Sequence, residues 1–167
     1  DAYNRLVPKS ADITMLDDNT AKIVLEPFER GFGHTVGFAL RRTMLSSMPG
    51  SAITSFKVDG VSHEFSAMEG LHDDFVQVKL NLKSVVIALD DAYDHEEFKL
   101  EVKGPCKITA GDIDTEGKAT IYNPDLVIAT LNSDQTFSMH VVVERGVGYS
   151  PVAEDSSEIG SILIDAS

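Results

Sequence analysis

The chain is 167 residues long, with 27 Asp and Glu against 14 Lys and Arg, a net charge of −13, 43% hydrophobic residues, one Cys and no Trp. That length supports one or two domains and a core that needs no disulfide or metal, while the negative charge repels phosphates and anionic head groups and argues against a nucleic-acid or membrane-surface binder. Lone Cys106 can form no internal disulfide, which fits a reducing cytoplasm; no apolar run approaches the ~20 residues of a bilayer span, and Asp1 to Ser10 lacks the pattern of a signal peptide.

Asp12 to Leu16 and Ala21 to Glu26 are β-prone runs that flank Asp17-Asp18-Asn19-Thr20, whose side chains favour turns, so a hairpin is predicted. After Pro27 a helix is expected from about Thr35 to Met48, capped by Thr35 and stopped by Pro49-Gly50. Val36, Leu40, Met44 and Met48 recur every four residues, with Ala39 and Leu45 beside them, as one broad apolar stripe.

Residues 1–50 carry six acids and six bases, so residues 51–167, with 21 acids and 8 bases, hold the whole net charge. This break near residue 50 marks a domain boundary. Beyond it, Ile53 to Val58 and Val61 to Ser66 alternate around Asp59-Gly60, a pair that suits a type I′ hairpin. Phe75 to Leu89 fits either a strand, by the alternation of Val76, Val78, Leu80 and Leu82, or a short helix. Phe98 to Val102, Ala119 to Tyr122, Leu126 to Leu131 and Thr136 to Glu144 complete a mostly β unit over residues 51–154. Ile162-Leu163-Ile164-Asp165 is a buried-strand pattern three residues from the end, which suggests that a completing element follows it.

Motifs for chemistry are sparse. Gly31, Gly33 and Gly37 sit at a strand-to-helix turn, as in a nucleotide-binding enzyme, but the third glycine falls one residue late for G-x-G-x-x-G. Asp112, Asp114, Glu116 and Gly117 imitate the first half of a calcium loop, yet its twelfth position is Asn123 rather than Glu. Asp90, Asp91, Asp94, Glu96 and Glu97 read as an exposed acidic loop, the five histidines lack zinc-ligand spacing, and Ser150 lacks a nucleophile elbow. No catalytic residue, metal site or cofactor is therefore expected. Arg41-Arg42 stands out: four of the five arginines lie in the first 50 residues, and this pair sits in the middle of the amphipathic helix. Consecutive helix positions diverge by about 100°, so the two cannot share one face, and arginine is a favoured interface anchor.

The stretch Leu25-Glu-Pro-Phe-Glu-Arg-Gly-Phe-Gly-His-Thr-Val-Gly-Phe-Ala-Leu-Arg-Arg-Thr-Met-Leu-Ser-Ser-Met-Pro-Gly50 resembles the signature of the bacterial RNA polymerase alpha subunit, N-terminal domain. Val58-Asp-Gly-Val-Ser-His-Glu-Phe-Ser66, Glu69-Gly70, Leu80-Asn-Leu-Lys83, Arg145-Gly-Val-Gly-Tyr149 and Ile159-Gly-Ser-Ile-Leu-Ile-Asp165 are similar to that family's later signatures, in order.

The resemblance implies an α+β fold of two subdomains. In it a dimerisation subdomain, residues 1–50 and 155–167 with its C-terminal part missing, is interrupted by a mostly β insertion over 51–154. It also implies a short helix near Asp73 to Leu82 and a non-catalytic cytoplasmic, nucleoid-associated scaffold of the nucleotidyltransferase complex. That scaffold pairs with a second alpha subunit and recruits beta and beta-prime, within reach of transcription regulators.

By the same resemblance Arg41, Arg42, Leu45, His63 and Glu64 face beta, and Lys83 faces beta-prime. Phe32, Val36, Phe38, Leu40 and Met44 belong to the dimer interface. Phe38 stands where the family usually has Asn, which points toward a heterodimer. No DNA contact, membrane contact or cofactor is implied for these residues.

Overall fold

A computed structural model of the chain describes residues 10–18, 20–63, 65–148 and 161–164. The chain divides into two compact units, Asp1–Ser46 and Ser47–Ser167. Mostly sheet with two α-helices among the described residues, it is an α+β protein.

The first unit opens with the expected hairpin. β1 (Ser10–Asp17) pairs antiparallel with β2 (Thr20–Glu26), with Ile13 opposite Ile23 and Met15 opposite Ala21. Strand residues alternate sides, so Ala11, Ile13, Met15, Ala21, Ile23 and Leu25 share an apolar face and Asp12, Thr14, Lys22 and Glu26 the other. α1 runs Phe32–Ser47 and starts a turn earlier than the sequence suggested. Gly31 adopts a φ of +83°, closed to most residues, and the Phe32 N–H donates to the Glu29 carbonyl at 3.0 Å. The helix therefore begins at the glycine, not at Thr35. Its end at Ser47 agrees with the proline stop.

In the second unit β3 (Pro49–Val58), β5 (His95–Lys103), β7 (Ile113–Asp114), β10 (Thr136–Val147) and β11 (Ile162–Leu163) form an antiparallel sheet in the order β11-β3-β10-β5-β7. Two-stranded ladders join β4 (Ile87–Leu89) to β8 (Ala119–Ile121) and β6 (Cys106–Thr109) to β9 (Val127–Leu131). β10 shows why the centre is stable: Phe137, Met139, Val141 and Val143 are buried at alternate positions, against Phe56 and Val58 of β3 and Phe98 and Leu100 of β5. The C-terminal strand expected from Ile162 is present, with Ile162 opposite Phe56 and Leu163 opposite Ser55.

The ambiguous run resolves as α2 (Phe75–Lys83). Asp74 caps its first turn, accepting from the Gln77 N–H at 2.7 Å, and Phe75, Val78 and Leu82 are its buried face. The Asn81 amide donates to the Ile128 carbonyl at 2.8 Å, and Asp73 accepts from the Thr130 N–H at 2.8 Å, fixing the helix on β9.

The expected strand from Val61 to Ser66 does not form. Val61 N–H closes a turn on the Val58 carbonyl at 3.1 Å, but only Gly60 of the turn pair takes a positive φ, whereas a type I′ hairpin needs both. β3 is also already paired with β10 on one side and β11 on the other, which leaves no edge beside Phe56 for a returning strand.

The acidic loop is more organised than its composition suggests. The Arg145 Nη2 group donates to the carbonyls of Leu89, Asp90 and Tyr93 at 2.9, 2.9 and 3.1 Å, and Nε lies 3.3 Å from Asp94. Glu96 and Glu116 flank the Lys118 ammonium at 3.5 Å each and, led by Glu96, raise its pKa above the ordinary lysine value. Arg145→Ala should lower unfolding stability by about 2 kcal/mol, since three charge-assisted bonds to a side chain only 24% exposed are lost. Urea unfolding measures the loss, and hydrogen exchange should show faster exchange at Asp90 to Asp94. Asp94→Asn, at a carboxylate 87% exposed, should change little.

Candidate interaction surface

The first unit presents apolar side chains without covering them. No residue of α1 is buried. Ile13, Met15, Leu16 and Ile23 of the hairpin region and Phe38, Leu40, Met44 and Leu45 of the helix are all exposed, while Phe32 and Val36 are half-buried. Phe28 and Phe32 rings lie 5.8 Å apart at the helix start. Scattered surface apolar residues are ordinary, but this many on one hairpin and on a helix with no buried residue make the first unit the candidate interaction surface.

The helix geometry amends one expectation. Phe32, Val36, Leu40 and Met44 do form a stripe at four-residue spacing, but Leu45 is turned about 100° from Met44 and lies off it. Arg41 and Arg42 are exposed, and among the described residues neither guanidinium has an ion pair.

The remaining site residues lie in the second unit. His63 follows the Asp59-Gly60 turn, exposed, with its Nδ1 accepting from the Phe65 N–H at 3.2 Å. Glu64 lies outside the described residues. Lys83 is the exposed last residue of α2. Leu80, not among the site residues expected from the sequence, is 54% exposed three residues before Lys83 and therefore on the same side of the helix. The helix expected near Asp73 to Leu82 carried the spacing of Val76, Leu80 and Lys83, but which side of it stays exposed is set by its packing.

The chemical alternatives lose their geometry. Gly33 and Gly37 are inside α1, so only Gly31 belongs to the turn, and no glycine loop is left to cradle phosphates. Asp112 accepts from the Thr109 N–H at 2.8 Å and Asp114 from the Glu116 N–H at 3.1 Å, so both carboxylates cap local turns. Among the described residues no group of three or more His, Cys, Asp or Glu side chains is placed to hold a metal ion, and no helix is long and apolar enough to cross a membrane. Ser150 lies outside the described residues.

The arrangement suits binding to other proteins: an apolar helix and hairpin in one unit, and a well-packed sheet carrying exposed loops in the other. The family described as RNA polymerase Rpb3/RpoA insert domain matches residues 55–167, more than half of the chain. The match spans most of the second unit, from within β3 through β11. The chain therefore belongs to the RNA polymerase Rpb3/RpoA insert-domain family, as an alpha-type N-terminal domain of a polymerase subunit.

Proposed function

We propose that this polymerase subunit is a non-catalytic assembly scaffold, which dimerises with an alpha-type partner and recruits the beta and beta-prime subunits. The uncovered apolar surface of the first unit carries the proposal, because a polymerase subunit has large partner chains available to bury it. In this reading residues 1–50 and 155–167 serve the dimerisation subdomain and residues 51–154 are the insertion, although Ile162–Leu163 pairs with β3 in the sheet of the second unit. Phe32, Val36, Leu40 and Met44 meet the second alpha copy, identical or of another type, whereas Phe38, expected with them, lies on the opposite side of α1. Arg41, Arg42 and Leu45, with His63 and Glu64, meet beta, and Lys83 with Leu80 meets beta-prime. The chain needs no cofactor for this role, contacts DNA only through its partners, and works in the cytoplasm where the polymerase assembles.

An exposed arginine with no intramolecular ion pair can be removed without disturbing the fold. Arg42→Ala in the full-length protein should therefore keep its thermal midpoint but weaken beta recruitment by a few kcal/mol, the range of arginine hot spots. Co-purification of beta at the normal yield would contradict this. Lys83→Glu should instead lower recovery of beta-prime and spare beta. Equal loss of both subunits would refute separate surfaces.

A further inference from the structure

We infer that Met44 is an oxidation site, at which a peroxide converts the thioether of the free subunit to the sulfoxide and so blocks pairing with the second alpha-type copy; this rests on the scaffold reading above. The chain has five methionines, and they fall into two groups. Met139 is fully buried in the sheet and Met68 is half-buried against the same core, whereas Met15, Met44 and Met48 are each more than half exposed. Oxygen transfer needs access to the sulfur, so these three react and Met139 does not.

Position separates Met44 from the other two. Met15 lies on the hairpin opposite Ala21, and Met48 follows the end of α1 at Ser47. Met44, 55% exposed, continues the stripe of Phe32, Val36 and Leu40. A flexible, unbranched thioether adapts to the irregular surface between two helices. Its sulfoxide carries a strongly polar oxygen, and Phe32, Val36 and Leu40 have no side-chain donor to meet it. Burying the oxidised side chain against a second copy therefore leaves an acceptor unpaired out of water.

Hydrogen peroxide is the only co-reactant the step needs. A sulfur lone pair attacks one peroxide oxygen, the S–O bond forms and the O–O bond breaks. The departing hydroxide takes the proton of the transferred hydroxyl and leaves as water. Sulfur is oxidised by two electrons and the peroxide is reduced by the same two. In the dimer the stripe is covered, so the same sulfur is shielded. Peroxide thus acts on the unassembled subunit and holds it out of the polymerase until the sulfoxide is reduced.

The test uses the full-length protein, diluted until free of its alpha-type partner, treated with hydrogen peroxide, quenched, and then concentrated with that partner. Peptide masses locate the added oxygen and native mass reports the dimer. Met44 should gain one oxygen, dimer affinity should fall about tenfold, and methionine sulfoxide reductase should restore it. The same treatment after dimerisation should leave Met44 unmodified. Met44→Leu should dimerise normally and stay dimeric through peroxide, while Met44→Gln should match the oxidised chain without peroxide, with circular dichroism unchanged in both. Retained dimer affinity after full oxidation of Met44, or in Met44→Gln, would overturn the inference and leave the dimer itself standing. Dissociation of the Met44→Leu dimer by peroxide would overturn it too, by moving the effect to Met15 or Met48. If the untreated protein forms no dimer, the scaffold reading fails as well.

Discussion

Apolar surface that a chain cannot bury by itself must be buried by something else, and in this protein that constraint falls on one end of the chain. Every buried apolar side chain among the described residues lies between Ile53 and Ile164. Ile13, Ile23, Phe38, Leu40, Met44 and Leu45 remain in water. Full burial of such side chains contributes about 1.5–3 kcal/mol each, so covering six of them supplies of order 10 kcal/mol before the entropy of association is subtracted. Association is the natural outlet for that free energy.

The second unit supplies the opposite property. Its long central strand β10 is flanked on both sides and buries alternate residues, α2 closes over β9 with a capped first turn, and Arg145 pins the acidic loop through three carbonyls. A unit that satisfies its own core can hold loops such as that of His63 in fixed positions. Among the described residues no acidic side chain is buried, so the acids that give the second unit its negative charge face solvent there.

Local chemistry made the β1–β2 hairpin, the proline stop of α1 and the alternation of β10 legible in the sequence, because turn residues and periodicity act within a few positions. Pairing partners were not legible. Val61 to Ser66 has strand-like alternation, but β11, more than 90 residues away, holds the edge it would have used. β6 was missed because Cys106 to Thr109 is too short to show a period. At the candidate surface, the arginine pair and the four-residue stripe were visible as residue types and spacing. The separation of Leu45 and Phe38 from that stripe follows from the same 100° spacing that separates Arg41 from Arg42, whereas the exposure of Leu80 needed the fold.

The most direct test of the surface is hydrogen exchange in the free full-length protein and in the assembled polymerase. The account predicts that amides of Phe32–Ser47 and of the β1–β2 hairpin become strongly protected on assembly, while those of β10, already inside the sheet, change little. Unchanged exchange across α1 and the hairpin, with protection confined to the second unit, would contradict it.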